Sequence, residues 1–251
     1  MNDLPKYLYH YTSIENLSLI LRNKTLRFIR LDKVNDPDEA ITKHFPNAKY
    51  FLYVSCWTSE KEETLPMWKM YSNDMKGVRI RLPINIFQGR RLPEYESTSY
   101  PIIHTDGNIR IKLKELTSQG LLVGPQDVKY SNNPENTDEC FTVLDDDLIK
   151  VDLLHIGLLK NFYWEYEQEW RYRIFASPVE GTWPKSVYDK YMEGIISKYI
   201  DLPLGENIFS ELIIQLGPRA TLAESLIVGA LCKEYAPNGP KLCDSSIKIS
   251  G

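Results

Sequence analysis

The 251-residue chain is long enough for one large domain or two small ones, and no Ser/Gly tract or long run of charge divides it. Hydrophobic residues make up 43% and charged residues 25% of the sequence. These are ordinary globular values, which argue against a disordered chain and against a membrane protein. The formal net charge of -4 provides no basic field for non-specific binding to a nucleic-acid backbone, although a local basic patch stays possible. We therefore predict a single domain over residues 1–251.

The N-terminal residues and the cysteines indicate the cellular compartment of the protein. The first residues lack the basic region and apolar stretch of a signal peptide, and no run of about 18 apolar residues occurs in the chain. This predicts a cytoplasmic protein with no membrane partner. Because Cys56, Cys140, Cys232 and Cys243 lie far apart without a CxxC pair, we expect reduced thiols and no bound metal.

The beginning of the chain predicts a strand, a helix, a second strand and a turn. Residues 7–11 form a short aromatic strand, and Ser13 begins a helix whose apolar residues recur at helical spacing. A second strand covers residues 26–29, and Asn35-Asp36-Pro37 is typical of a turn. We predict a structural role for this turn and for the nearby Glu39, with the rim of a cleft as the alternative.

The rest of the chain predicts further strands and helices. A buried strand at residues 50–57 is followed by a short helix beginning at Pro66, and the sequence VRIRL at residues 78–82 is typical of a half-exposed strand. The polar stretch at residues 130–139 predicts a mobile loop. The later elements are a helix from about Asp145 to Phe162, an alternating strand at 165–176, a buried strand at 212–218, a helix over 221–235 capped by Thr221, and a final strand at 245–250.

His10 is a candidate ligand-binding residue because it lies on an aromatic strand directly before a helix. Thr12 follows it at the strand-to-helix junction, where the hydroxyls of a ligand can be bound. The alternative is a structural histidine that is hydrogen-bonded to the backbone.

Glu167 and Glu169 form the strongest candidate pair. On a strand, residues two apart point to the same face about 7 Å apart, and repulsion raises the pKa of at least one carboxyl. Such a pair can orient a sugar hydroxyl and stabilise an oxocarbenium-like transition state. The alternative is a solvated face on which the two carboxylates pair with Arg171 and Arg173.

Trp68 and Tyr71 are three residues apart on the predicted short helix, so they share a face that could stack on a flat heterocycle. Packing in the core is the commoner role for such a pair.

Four separated segments carry a resemblance to a known family. LYHYTSIENLSLILRNKTLRF, VNDPDE, YVSCWTSEKEETLPMWKMYSNDMKGVRIRL and FYWEYEQEWRYRIF occur in this order. Together they resemble the bacterial family catalogued as domain of unknown function 2971, over residues 7 to about 250. The opening segment, a strand ending in His-aromatic-Thr followed by a helix and a short strand, also resembles the DarT-type ADP-ribosyltransferases.

The second resemblance implies a fold and a set of site residues. The implied fold is α+β, with an ADP-ribosyltransferase-like split mixed/antiparallel β-sheet core flanked by helices. His10 resembles the residue that holds the adenosine ribose, with Tyr11 and Thr12 beside it. Tyr71, or alternatively Trp68, resembles the aromatic residue against nicotinamide. Glu167-Gln168-Glu169 resembles the E-x-E pattern, in which Glu169 is the catalytic carboxylate and Glu167 the acceptor-side residue.

The resemblance also implies an activity. We expect an NAD-dependent ADP-ribosyltransferase that uses NAD as its substrate and needs no metal. The acceptor is a protein, a nucleic acid or water, and such folds serve as bacterial toxins or phage-defence effectors. The alternatives are an NAD glycohydrolase and a non-catalytic ligand-binding or sensor module of the same fold.

Overall fold

The computed structural model describes residues 4–39, 43, 48–87, 103–104, 110–111, 122–132, 140–143, 149–151, 155–175, 198–205, 207–237 and 239–249. The chain divides into two compact units. The first unit consists of Met1–Leu26, Trp57–Arg91 and Pro203–Gly251, and the second of Arg27–Cys56 and Leu92–Leu202. A polar loop is predicted at 130–139, but residues 130 and 131 belong to a strand, Lys129–Ser131. Residues 133–139 and their predicted mobility lie outside the described residues.

Short strands outnumber helices in the described part of the chain. The strands are β1 (Tyr7–Thr12), β2 (Thr25–Arg30), β3 (Leu52–Thr58), β4 (Val78–Pro83), β5 (Ile103–His104), β6 (Arg110–Ile111), β7 (Leu122–Asp127), β8 (Lys129–Ser131), β9 (Phe141–Val143), β10 (Ile149–Val151), β11 (Leu159–Asn161), β12 (Glu169–Phe175), β13 (Tyr199–Pro203), β14 (Ile213–Leu216) and β15 (Lys241–Cys243). The α-helices are α1 (Ile14–Asn23), α2 (Leu65–Tyr71) and α3 (Leu222–Tyr235), and the 3-10 helices are Leu31–Lys33, Ala48–Tyr50, Phe162–Glu167 and Ile208–Ser210. None of the helices described is both long enough and apolar enough to cross a bilayer.

The first unit contains a mixed sheet. β4 pairs antiparallel with β1 and with β14, and β14 pairs parallel with β15. One face of this sheet is apolar: Leu8 lies opposite Leu82 and Ile80 lies opposite Ile214, and each of the four is at most 1% exposed. The predicted α+β class with a mixed sheet is therefore confirmed.

Both long helices of the first unit begin as the sequence predicts. The side chain of Ser13 accepts a hydrogen bond from the backbone N–H of Asn16, which caps α1. Thr221 and Glu224 form a capping box at the start of α3. Local side-chain chemistry thus determines where these helices begin.

The second unit contains a sheet in which β12 is central. β12 pairs with β3 and runs antiparallel to β7, and β2 lies between β3 and β13. The register of β12 on β7 shifts between Arg171 and Arg173. Separate two-stranded pairs are formed by β5 with β6, β8 with β11, and β9 with β10.

Three predicted elements differ from the structure. The predicted helix over residues 145–162 is wrong, because β10 and β11 occupy described parts of this range and each pairs with another strand. Pairing between distant strands overrides local helical spacing here. The strand predicted at 165–176 is confirmed from Glu169 to Phe175, but its predicted start is wrong, because residues 165–167 belong to a 3-10 helix.

The final strand predicted at residues 245–250 is also wrong over its described residues, 245–249. Ser245 and Ser246 hydrogen-bond to the Glu63 carboxylate instead of continuing a strand ladder. The last strand is β15, four residues earlier in the sequence.

Gly77 lies between α2 and β4, close to the backbone of β1. A Cβ atom at this position would lie 2.3 Å from the carbonyl oxygen of Thr12 and 2.8 Å from that of Ser72. Since both obstacles are backbone atoms, no side-chain rotation relieves the clash. Gly229 in α3 is the opposite case, because a Cβ there has no heavy atom within 4 Å.

We predict that Gly77→Ala lowers the free energy of unfolding by at least about 1–3 kcal/mol, the usual cost of overpacking. Gly229→Ala, the matched control, should raise it by about 0.5–1 kcal/mol because alanine has the higher helix propensity. Chemical denaturation of the two variants tests this. Equal effects of the two substitutions would contradict the packing described around Gly77.

Candidate functional site

The sequence-predicted site residues lie in both units. His10, Tyr11, Thr12, Trp68 and Tyr71 belong to the first unit. Glu167 and Glu169 belong to the second unit. Their convergence on one cleft stays a prediction.

His10 and Tyr11 point to opposite faces of β1, because consecutive strand residues alternate. The His10 ring lies against the buried Trp57, with ring centroids 5.1 Å apart. Tyr11 is 5% exposed and meets Trp68 edge-on at a centroid distance of 4.9 Å. Thr12 is buried on the same face as His10. His10 is half-buried, so it has the greatest exposure of these three β1 residues.

Trp68 is fully buried, which identifies it as a packing residue. Its indole N–H donates to Oε2 of Glu63 at 2.9 Å. Glu63 also accepts hydrogen bonds from Gln215, Ser245 and Ser246. Burial alone would raise the pKa of Glu63, but the bonds from Ser245, Ser246 and Trp68 lower it below its ordinary value. Trp68 is thus held in place by a hydrogen-bonded carboxylate.

Tyr71 is the last residue of α2 and is half-buried. It is therefore more accessible than Trp68 and is the better of the two candidates for contact with a ligand.

Glu167 and Glu169 do not share a strand, which corrects the geometry predicted from the sequence. Glu167 ends a 3-10 helix and Glu169 begins β12. Gln168 between them has left-handed backbone, with φ 43°. Strand alternation therefore does not apply to the pair.

Both carboxylates nevertheless converge, because each meets the ammonium group of Lys160. Lys160 Nζ lies 2.6 Å from Glu167 Oε2 and 3.2 Å from Glu169 Oε2. It also lies 3.7 Å from Glu39 Oε1 and 4.6 Å from the centroid of the Trp164 ring. Lys160 is 5% exposed, so these contacts are largely shielded from water.

Arg171 completes the group by bridging two of the same carboxylates. Its Nε donates to Glu169 Oε1 at 2.5 Å and its Nη2 to Glu169 Oε2 at 2.9 Å. The same Nη2 donates to Glu39 Oε1 at 2.8 Å, and Nη1 donates to Glu39 Oε2 and to the carbonyl of Gly157. We call Glu39, Lys160, Glu167, Glu169 and Arg171 the buried ion cluster.

Every member of the buried ion cluster has a side chain at most 5% exposed. The alternative of a solvated charged face at Glu167 and Glu169 is therefore wrong. These charges are buried, where interactions between charges are stronger than at the surface.

The cluster holds Glu169 and Glu39 differently. Burial would raise the pKa of Glu169, but the charges of Arg171 and Lys160 lower it to about 2. For Glu39, burial raises the pKa and the nearby Glu169 charge adds to this, while Arg171 offsets only part. The cluster contains three carboxylates and two cations. Because the pKa of Glu39 is raised and that of Glu169 is lowered, Glu39 takes up a proton more readily than Glu169.

Glu39 reaches the cluster from the turn predicted at Asn35-Asp36-Pro37. Asp36 is buried and its Oδ1 accepts a hydrogen bond from the backbone N–H of Asp38 at 3.0 Å, which confirms the turn. The other oxygen, Oδ2, accepts from the backbone N–H of Asn161 at 3.4 Å. This turn positions Glu39 against Arg171, 132 residues later in the sequence.

Sequence reasoning missed Lys160 and the participation of Glu39. Both are single charged residues in ordinary local contexts, and their partners are distant along the chain. One signal in the sequence was available: residues 165–173 carry many charges. A strand exposed to solvent does not require so many charges, so this density indicated that some of them have partners.

The half-buried thiol of Cys56 lies near the cluster. Burial and the Glu169 charge raise the pKa of the Cys56 thiol well above its usual value. Among the residues that the structure describes, no group of three or more His, Cys, Asp or Glu residues could hold a metal ion.

The model of the family described as "Protein of unknown function (DUF2971)" matches residues 67–172. This confirms the first resemblance over that part of the chain, which includes Trp68, Tyr71, Lys160 and the Glu167/Glu169 pair. No curated protein and no solved structure matches the sequence. The resemblance to DarT-type enzymes stays a prediction.

We predict that Glu169→Gln lowers the free energy of unfolding by about 3–5 kcal/mol, because it leaves buried cations without their main counter-charge. Glu39→Gln removes the same charge from the same cluster but should cost less, because burial already disfavours the ionised form of Glu39. Urea denaturation of both variants at pH 7 provides the comparison. A larger loss in Glu39→Gln would show that the cluster is organised around Glu39 instead.

The pH dependence of the same variant gives a separate prediction. The folded pKa of Glu169 is about 2, below an ordinary value of about 4.3. The ionised carboxylate therefore stabilises the folded state above pH of about 4.3, and this contribution is lost as the pH falls toward 2. The stability difference between wild type and Glu169→Gln should shrink over this interval. A difference independent of pH would contradict the lowered pKa.

Proposed function

We propose that the chain binds NAD and transfers its ADP-ribose group, with the carboxylates of Glu167 and Glu169 at the sugar. The observation that carries this proposal is the excess of carboxylates over cations in the buried ion cluster. As nicotinamide leaves NAD, positive charge develops on the ribose ring. Fixed negative charge in low-dielectric surroundings stabilises such a transition state.

The contacts of the two carboxylates suggest different roles. Both oxygens of Glu169 accept bonds from Arg171, and its lowered pKa keeps it ionised. In the proposal Glu169 supplies fixed negative charge. Glu167 accepts from Lys160 and adjoins Tyr166, which is 37% exposed. Glu167 is then the carboxylate that orients a hydroxyl of the ribose or of the acceptor.

Access to these carboxylates requires a movement. Glu167 and Glu169 are 4% and 3% exposed, whereas Phe162 and Tyr163 of the adjoining 3-10 helix are 47% and 83% exposed. In the proposal this short helix is displaced when NAD binds, which also brings aromatic side chains to the ligand. His10 and Tyr71, both half-buried, stay the ribose and nicotinamide contacts that the resemblance to DarT-type enzymes implies.

A second candidate function is a non-catalytic ligand-binding or sensor module. The observation that favours it is the complete burial of Arg171, which binds Glu39 and Glu169 through paired hydrogen bonds. Such saturated ion clusters also occur purely as structural devices. The two candidates differ in whether NAD is consumed.

We predict that incubation of the chain with NAD releases nicotinamide, and that Glu169→Gln lowers the rate about 100-fold or more, the usual cost of losing one electrostatic contact to the transition state. Glu167→Gln should mainly impair transfer to the acceptor and leave part of the nicotinamide release intact. The matched control is Glu165→Gln, because Glu165 lies in the same 3-10 helix but is exposed. Its rate should stay within about twofold of wild type, since it touches no part of the cluster. Mass spectrometry measures nicotinamide and any labelled macromolecule, and melting temperatures confirm that each variant is folded.

The products distinguish the candidates. ADP-ribose attached to a protein or nucleic acid identifies a transferase, which modifies host or phage macromolecules if the chain is a toxin or a defence effector. Free ADP-ribose alone identifies an NAD glycohydrolase. NAD left intact by the wild-type chain in the presence of cell extract would refute both enzymes and leave the binding module.

A further inference from the structure

Aromatic and basic side chains interleave on the face of the first unit's sheet that is opposite the apolar core. In the register of β1 on β4, Tyr9 lies opposite Arg81 and Tyr11 lies opposite Arg79. The Arg81 guanidinium lies 4.1 Å from the centroid of the Tyr7 ring, and that of Arg79 lies 4.5 Å from the Tyr9 ring. We call Tyr7, Tyr9, Tyr11, Arg79 and Arg81 the tyrosine–arginine ladder.

The two arginines of the ladder have no carboxylate partner among the described residues. Three other described arginines are each paired with a carboxylate: Arg27 with Asp201, Arg30 with Asp32, and Arg219 with Asp74. Arg79 instead donates from Nη1 to the Tyr11 hydroxyl at 3.3 Å and to the Lys61 carbonyl at 3.1 Å. Neither the Tyr11 hydroxyl nor the Lys61 carbonyl carries a negative charge that would pair with the Arg79 guanidinium.

Both guanidinium groups also keep a buried donor without a partner. Nε of Arg79 and Nε of Arg81 are shielded from solvent and make no hydrogen bond. Arg79 is 7% exposed, so this donor belongs to a side chain that is more than nine-tenths buried. Glu63 lies nearby in the same unit, but its oxygens are bound by Trp68, Gln215, Ser245 and Ser246.

A buried cation without a counter-charge is costly. Stacking on tyrosine recovers less free energy than the burial of an unpaired ion costs in a real protein. A buried N–H without an acceptor adds to this cost. A bound anion would supply both the missing charge and the missing acceptors.

We propose that the tyrosine–arginine ladder is a binding site for a pyrophosphate group, either free or as part of a nucleotide. Guanidinium groups bind phosphate oxygens through paired N–H donors, and two of them on alternate residues of one strand can serve two linked phosphates. The flanking tyrosine rings fix the guanidinium planes. The proposal is independent of NAD cleavage, because an anion can bind here whether or not nicotinamide is released elsewhere.

The test is isothermal titration calorimetry of the full chain with inorganic pyrophosphate, ADP and adenosine. Wild type should bind pyrophosphate, and Arg79→Met and Arg81→Gln should each weaken binding at least about tenfold, since each removes paired charge-assisted bonds. Arg219→Gln is the matched control, because Arg219 is an exposed arginine of the same unit that is paired with Asp74. It should bind as wild type does.

Tighter binding of ADP than of pyrophosphate would identify a nucleotide as the source of the anion, and equal binding would identify free pyrophosphate. Absence of pyrophosphate and ADP binding to wild type at millimolar concentration would overturn the proposal. Two other results would also overturn it: pyrophosphate binding that both Arg79→Met and Arg81→Gln retain, and adenosine binding as tight as ADP binding.

Thermal melting separates a ligand-binding role from a structural one. Without ligand, Arg79→Met should melt at a higher temperature than wild type, because it removes an uncompensated buried charge. Pyrophosphate should raise the melting temperature of wild type and leave that of Arg79→Met unchanged. A variant that melts lower and still responds to pyrophosphate would show that Arg79 only holds β1 and the Lys61 segment together. Arg81→Gln repeats the comparison at a half-buried position.

Discussion

The pairing of Arg171 with two carboxylates is the interaction on which the second unit depends. A guanidinium has five N–H donors in one plane and stays charged at any working pH. Buried at 0% exposure, it must find acceptors for these donors within the protein. Glu169, Glu39 and the Gly157 carbonyl supply them. The turn before Glu39, the strand β12 and the loop at Gly157 are thereby fixed to one another.

Lys160 extends this constraint to the segment before β12. Its ammonium group is held between Glu167 and Glu169, and the two carboxylates therefore remain close although the backbone reverses at Gln168. Burial lowers the pKa of Lys160, but the charges of Glu169, Glu39 and Glu167 raise it above its usual value, so Lys160 stays protonated. The positions of the two carboxylates follow from a shared cation rather than from strand alternation.

Arg171 in the second unit and Arg79 in the first unit are held by different kinds of partner. In the second unit, Arg171 is surrounded by carboxylates, and the local charge is negative. In the first unit, Arg79 and Arg81 are stacked on tyrosines without a carboxylate within ion-pair distance among the described residues. The formal net charge of the whole chain, -4, does not reveal either arrangement. Composition therefore could not indicate either the buried ion cluster or the tyrosine–arginine ladder.

The distance along the chain between interacting residues explains which features could be predicted from the sequence. Ser13, Thr221 and Pro66 act within one turn of helix, so the starts of α1, α3 and α2 could be predicted from local chemistry. The E-x-E pattern correctly indicated that Glu167 and Glu169 lie near one another, but for the wrong geometric reason. Lys160 and Glu39 could not be assigned to the pair, because their contacts join residues up to 132 positions apart. A charged residue whose partner is distant is locally identical to a solvated one, and only the folded chain distinguishes them.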